Sequence, residues 1–146
     1  MKIKIICVGK VKNKNLLSEI EDLVRRFSRL EIVYLKEVKE KNIEVIKEKE
    51  FDLLKPYLVS SNYNVLLWEY GREFSTKDFY EKFRKVEGTI VFLITGAYGP
   101  SEKLKKSVDL VLSLSKMTFT HEQALYLLVE QVYRMECFEK NIPYTK

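Results

Sequence analysis

The sequence has 146 residues, of which 46% are hydrophobic, and a formal net charge of +5 at pH 7. A chain of this length buries roughly 70% of the surface that its unfolded state exposes, and its hydrophobic content argues against intrinsic disorder. We therefore expect one folded domain over residues 1–146. The modest positive charge is compatible with a nucleic-acid partner but does not demonstrate one.

The cysteine and histidine usage excludes several classes of protein. Cys7 and Cys137 are far apart and the chain has a single histidine, so neither a disulfide framework nor a structural zinc site is expected. The first residues read as an alternating strand and not as a secretory signal. No apolar run approaches the roughly 20 residues of a membrane span. We expect a cytoplasmic protein that binds no metal and no membrane.

Strand and helix patterns alternate along the chain, which predicts an α/β fold with a mainly parallel sheet. Tyr70-Gly71 is expected to close the third strand, Pro56 to kink or end the second helix, and Ser75 and Ser101 to cap the next two helices. The charged run at 36–50 is interpreted as a solvated loop and helix face, with an RNA-facing patch as the alternative. The predicted strands are residues 2–8, 31–35, 64–69, 89–95 and 110–112, and the last predicted helix spans 121–136.

Three loops, at 67–72, 95–100 and 113–120, each follow a predicted strand. In a parallel sheet they open on the same side, where ligands of such folds bind. Gly96 and Gly99 allow a close approach of backbone to ligand, although two glycines in an ordinary turn are the alternative. The 113–120 loop is rich in hydroxyl groups and can hold a small ligand with main-chain groups alone. The polar tail beyond the last helix could reach over it.

His121 is predicted to begin the last helix. The positive end of the helix dipole disfavours added positive charge, so this imidazole is expected to be neutral and able to accept a proton. A capping or packing histidine is the alternative. The helix is apolar around much of its circumference, as in a subunit interface or a central core helix. Arg134 could meet phosphate or could complement the carboxyl end of the helix dipole.

At these positions the chain resembles the small, single-domain SPOUT methyltransferases of the RlmH (YbeA) type, over nearly its whole length. The most specific part of the resemblance is the run from Leu114 to Arg134. Its other marks are Cys7-Val8-Gly9-Lys10, Leu67 with Gly71-Arg72 and Ser75-Thr76, Phe92-Leu93-Ile94 before Gly96 and Gly99, and Pro143-Tyr144.

The resemblance implies an S-adenosylmethionine-dependent enzyme that methylates N3 of a pseudouridine in 23S ribosomal RNA, on the assembled 70S ribosome. It also implies a SPOUT fold with a carboxyl-terminal trefoil knot and a homodimer packed through that region. The catalytic residues that it implies are His121, Arg134 and Tyr144. The cofactor-binding residues that it implies are Leu67, Thr95, Gly96, Leu114, Ser115, Lys116, Met117, Thr118 and Phe119.

The chain departs from the family pattern at four positions. Relatives usually have Gly, Pro, Arg and His where this sequence has Thr95, Thr120, Leu125 and Thr145. These departures motivate an alternative, a non-catalytic homologue that binds S-adenosylmethionine or the ribosome. A nucleotide-binding α/β protein of metabolism that makes no contact with RNA is a third reading.

Overall fold

The computed structural model describes residues 1–144, so the departure at Thr145 lies outside the described residues. Five strands form a sheet in which every neighbouring pair is parallel. This arrangement confirms the predicted α/β class. The strands are β1 Lys2–Val8, β2 Leu30–Leu35, β3 Tyr63–Glu73, β4 Thr89–Ile94 and β5 Leu110–Ser113.

The strand order across the sheet is β2-β1-β4-β3-β5. The amino-terminal strand β1 therefore lies inside the sheet, with Ile5 beside Ile32 of β2 on one side and Phe92 of β4 on the other. Parallel strands need long crossover connections, and helices supply them here. The helices are α1 Lys14–Arg26, α2 Ile43–Leu54, α3 Thr76–Phe83, α4 Glu102–Lys106 and α5 His121–Lys140.

Each face of the sheet carries its own hydrophobic core. Ile3 and Ile5 face a core built with α1, α3 and α5. Ile6 and Val8 face the opposite core, which α2 and α4 cover. Both faces of the central strands are therefore apolar, which is why these strands read as continuous hydrophobic runs in the sequence.

The helices begin where short polar side chains accept hydrogen bonds from the first free amides. Ser75 and Ser101 cap α3 and α4, as predicted. Thr120 caps α5 and forms a reciprocal pair of hydrogen bonds with Gln123. The residues that cap α1 and α2 are Asn13 and Asn42.

Several predicted boundaries were wrong. Strand β3 does not stop at Tyr70-Gly71 but continues to Glu73, because it meets β5 a second time there. Helix α5 runs one turn beyond the predicted end, to a left-handed Asn141. Pro56 does end the regular helix, since α2 stops at Leu54 and a short 3₁₀ turn follows.

Two further features bear on the predicted class of protein. Within residues 1–144, no helix is both long enough and apolar enough to cross a membrane. Cys7 and Cys137 are free and buried thiols, as expected. The carboxyl-terminal knot stays a prediction.

Candidate active site at the carboxyl edge of the sheet

The three predicted loops meet and enclose an open cleft of about 820 Å³, a size within the ~300–1,000 Å³ typical of small-molecule sites. The cleft lies at the carboxyl ends of β3, β4 and β5, where parallel sheets bind their ligands. The prediction that these loops converge is confirmed. The lining residues are 67–70, 94–100, 114–115 and 117–124, together with Lys47 of α2 and Lys105 of α4.

One wall of the cleft is a segment of β3 that leaves the sheet and returns to it. Leu67 and Arg72 both pair with Leu112 of β5, so residues 68–71 are looped out of the ladder between them. Gly71 makes this possible, because a Cβ atom there would lie 2.6 Å from the carbonyl oxygen of Val111. A backbone neighbour at that distance cannot move aside as a side chain can. The glycine thus brings the looped segment into the cleft.

The loop after β5 forms the second wall and presents free main-chain donors. The Ser113 hydroxyl lies 3.0 Å from the Glu69 carbonyl oxygen and 2.8 Å from that of Ser115, which fastens the start of the loop to β3. Within residues 1–144, the amides of Lys116, Thr118 and Phe119 donate to no other group. Lys116 and Thr118 are exposed and Phe119 is half-buried, so these amides are accessible to a ligand.

The predicted cofactor-binding residues of the third loop line the cleft, except for Lys116. The Lys116 side chain does not line the cleft but lies exposed, 3.8 Å from the Glu73 carboxylate. The Thr118 hydroxyl donates to the Glu69 carboxylate at the rim. Lys116 can thus serve a ligand through its main chain only.

The turn after β4 forms the floor of the cleft. Gly99 has a left-handed φ of +78° and donates its N–H to the Gly96 carbonyl oxygen over 3.2 Å, so its conformation favours glycine. Gly96 instead donates its N–H to Glu50 of α2 over 3.0 Å. Burial raises the pKa of Glu50, the hydrogen bond from Gly96 lowers it, and the negative charge of Glu37 raises it further.

Sequence reasoning missed Glu50. It lies in the charged run at 36–50, which was interpreted as solvated, yet only 4% of its surface is exposed. Most of that run is exposed, as predicted. One signal was available: a glutamate placed four residues after Ile46 and four before Leu54 lies on the apolar stripe of α2.

Aromatic and apolar side chains stand exposed around the mouth of the cleft. Tyr70, Tyr98 and Met117 keep 74%, 54% and 72% of their surface accessible. Trp68 lies deeper, with the Lys105 ammonium 3.7 Å above the centre of its ring. This distance is short for a cation–π pair. Trp68 is also the only tryptophan in the sequence, so its fluorescence reports on the cleft.

His121 is the first residue of α5 and lines the cleft. Its Nε2 lies 3.1 Å from the carbonyl oxygen of Lys10, which can only accept, so Nε2 carries a proton. In the neutral imidazole the lone pair is then on Nδ1. The next residue, Glu122, accepts the amides of Lys12 and Asn13. The start of α5 is thereby fastened to the loop after β1.

The structure does not bring Arg134 and Tyr144 to His121 within one chain. Thirteen residues of continuous helix separate Arg134 from His121, which is about 20 Å along the axis. Arg134 Nε donates to Glu130 over 2.6 Å, and the Tyr144 hydroxyl donates to the same carboxylate oxygen over 3.3 Å. Tyr144 thus packs on α5 and does not cover the 113–120 loop.

The Tyr144 hydroxyl is a donor in this arrangement. Burial raises the pKa of Tyr144, and Glu130 raises it further through its negative charge and its hydrogen bond. The phenol is therefore protonated near pH 7 and cannot serve as a base there. The guanidinium carbon of Arg134 lies 5.2 Å from the centre of the Tyr144 ring.

The remaining departures from the family pattern have local explanations. Thr95 is 8% exposed, so it takes up little of the cleft surface. Leu125 is fully buried in the core on the α5 face of the sheet, where it is an ordinary packing residue. Thr120 supplies the cap of α5. In the described part of the chain no group of three or more histidine, cysteine or carboxylate side chains could hold a metal ion.

Comparisons with known proteins give consistent matches. A family model described as predicted SPOUT methyltransferase matches residues 1–145. Ribosomal RNA large subunit methyltransferase H of Dictyoglomus thermophilum is 35% identical over 151 aligned residues, covering 99% of each chain. The protein of the same name from Fusobacterium nucleatum subsp. nucleatum is 37% identical over 155 aligned residues, covering 100% of each chain.

Among solved structures, the fold is similar to that of the tRNA (m1G37) methyltransferase from Aquifex aeolicus. The TM-score is 0.51 at 14% sequence identity, and the match covers 92% of this chain and 70% of that one. At this level of identity the likeness concerns the fold alone.

Proposed function

The chain belongs to the SPOUT methyltransferase family, and from that premise we propose that it methylates N3 of a pseudouridine in 23S ribosomal RNA. The observation that carries the proposal is the cleft itself, built from three strand-end loops. Within residues 1–144, the loop after β5 leaves the amides of Lys116, Thr118 and Phe119 without acceptors. Full-length relatives named for ribosomal RNA methylation support the substrate class. The pseudouridine target and the assembled 70S ribosome rest on the resemblance of the residues.

S-adenosylmethionine is the proposed methyl donor, and it supplies a sulfonium methyl group that needs no further activation. The chemistry of the cleft fits it, because the amides of Lys116, Thr118 and Phe119 can donate to its acceptor atoms. The Glu69 carboxylate at the rim provides a negative charge near a cationic ligand. Leu67, Thr95, Gly96, Leu114, Ser115 and Met117 complete the proposed binding residues.

The protein's main task is then to position the acceptor nitrogen and remove its proton. His121 Nδ1 is the proposed proton acceptor, because Nε2 is held as a donor by the Lys10 carbonyl. Arg134 and Tyr144 are proposed to donate hydrogen bonds to the oxygens of the target base.

We propose that a homodimer assembles this set of catalytic groups. The roughly 20 Å between His121 and Arg134 along α5 is too long for both to reach one base within a single chain. A partner protomer that places its Arg134 and Tyr144 near this cleft would complete the site. The net charge of +5 suits phosphate contacts with the ribosome in the cytoplasm.

Methyl transfer from labelled S-adenosylmethionine to 70S ribosomes that lack the modification tests the proposal. We expect labelling of ribosomes that contain pseudouridine at the target site and none of ribosomes with uridine there. Cofactor binding is followed separately through the fluorescence of Trp68, which lines the cleft. Binding without any labelling would identify a non-catalytic homologue, and the absence of both would refute the proposed function.

Paired variants assign the roles. R134A should abolish labelling while the dissociation constant of S-adenosylmethionine stays within about threefold of the wild-type value, since Arg134 does not line the cleft of its own chain. K77A, which removes an exposed charge from α3, is the matched control and should retain activity. Equal labelling by both variants would remove Arg134 from the proposed mechanism.

A further inference from the structure

Glu50 is a buried carboxyl group that the proposed chemistry does not use. It lies on α2, outside the lining of the cleft, and is only 4% exposed. It forms no salt bridge with any residue of the described chain 1–144. A buried carboxyl group is costly unless it is hydrogen-bonded. Its hydrogen-bond donor is the main-chain N–H of Gly96, at 3.0 Å from Oε1.

The side chain of Glu50 also explains why residue 96 is a glycine. A Cβ atom on Gly96 would lie 2.5 Å from Glu50 Oε2, which is closer than real Cβ contacts allow. The φ of Gly96 is outside the left-handed region, so its conformation alone does not require glycine. The glycine therefore leaves room for the Glu50 carboxyl group, which a side chain at position 96 would have to displace.

The hydrogen bond fixes the orientation of the Thr95–Gly96 peptide plane. In a trans peptide the N–H and the preceding C=O point in opposite directions, and the described chain has no cis peptide bond. Because the Gly96 N–H points at Glu50, the Thr95 carbonyl points away from it. Within residues 1–144 this carbonyl oxygen accepts no hydrogen bond. Thr95 and Gly96 both line the cleft, and Glu50 does not.

We propose that Glu50 is a positioning residue that presents the Thr95 carbonyl oxygen as a hydrogen-bond acceptor for an N–H group of the bound methyl donor. This inference rests on the proposed function, since it assigns a contact to the same cofactor. Either protonation state of the carboxyl group can accept the Gly96 N–H through an oxygen. Glutamine offers a similar oxygen at the same position.

Two variants and one control test the inference through the dissociation constant of S-adenosylmethionine, measured by Trp68 fluorescence. E50A should weaken binding about tenfold, the effect of one lost hydrogen bond. E50Q should bind within about threefold of the wild type, because its amide oxygen replaces Oε1. D52A is the matched control, since Asp52 is exposed on the same helix, and it should bind as the wild type does.

A double-mutant cycle separates positioning from packing. G96A should displace the Glu50 carboxyl group and therefore weaken binding as much as E50A does. The double variant E50A/G96A should bind within about twofold of E50A, because the space for the new Cβ is then open. Fully additive losses would overturn the inference.

The outcomes distinguish this inference from the proposed function. If the wild type binds no S-adenosylmethionine, the proposed function fails. If the wild type binds it and E50A binds equally well, the proposed function stands and the role of Glu50 is overturned, even if E50A melts at a lower temperature. Rescue by E50Q together with a lost affinity in E50A supports the inference by showing that the acceptor oxygen, and not the charge, is needed. Because glutamine also restores the volume of the side chain, the double-mutant cycle provides the separation from packing.

Discussion

The carboxylate of Glu122 joins the start of α5 to the loop after β1, and the stability lost on its removal can be estimated. Glu122 Oε1 accepts the Lys12 and Asn13 amides at 3.0 and 3.1 Å, across more than 100 residues of chain. Asn13 in turn caps α1. One carboxylate therefore holds both the start of α1 and the start of α5.

We expect E122A to lower the free energy of unfolding by about 1–2 kcal/mol. A hydrogen bond contributes about 0.5–1.5 kcal/mol to stability. The two bonds of Glu122 lie at the lower end of this range, because both are exposed and the freed amides can bind water. A carboxylate in the first turn of α5 adds about 0.3–1 kcal/mol through the helix dipole. In a chain of this length, such a loss corresponds to a fall in Tm of about 3–8 °C.

Calorimetry and amide hydrogen exchange check this expectation together. The Lys12 and Asn13 amides should exchange at least about tenfold faster in E122A. E122Q keeps an acceptor oxygen without the charge and should recover part of the loss. E48A, which removes an exposed carboxylate from α2, should leave Tm unchanged. A Tm of E122A within about 1 °C of the wild type, with equal exchange of both amides, would refute the reasoning.

Three further outcomes are expected. Burial, with a contribution from the charge of Glu122, raises the pKa of Cys7 from 9.0 to about 12. Because the folded state holds this proton more tightly than the unfolded state, the linked stability is fully present below pH 9. Between pH 9 and 12 the free energy of unfolding falls by up to about 1.4 kcal/mol per pH unit. Urea midpoints of the wild type at pH 8 and 10 should therefore differ more than those of C7A. G71A places a Cβ atom 2.6 Å from the Val111 carbonyl oxygen and should lower the free energy of unfolding in urea by at least about 2 kcal/mol. An unchanged free energy of unfolding would contradict the close approach of β3 to Val111. Heterodimers of H121A with R134A should regain about half of the wild-type methyl transfer if the two residues act across the dimer, and none if they act within one chain.

The elements that sequence reasoning found are those whose signal is local. Strands buried on both faces read as short apolar runs, and a serine before a helical pattern marks its first turn, as at Ser75 and Ser101. The convergence of three loops followed from parallel pairing alone. These features need no knowledge of which distant residue lies opposite.

The features that were missed depend on contacts between distant segments. Glu50 looks like its solvated neighbours until Gly96, 46 residues later, is placed beside it. Tyr70-Gly71 looks like the end of a strand, because the close approach of Val111 is not visible in the local sequence. The state of the His121 ring depends on the Lys10 carbonyl, which no local pattern identifies.

The position of β1 inside the sheet has a consequence for the synthesis of the chain. Its partner β4 begins at Thr89. At a translation rate of about 5–20 residues per second, β4 is synthesised about 4–17 s after β1, and until then that edge of β1 has no partner strand. During this time an apolar strand with unpaired main-chain groups is exposed to other nascent chains. Helix α5, which covers the same core, follows β4 and β5 in the chain. The core on the α5 face of the sheet can therefore close only after α5 has left the ribosome.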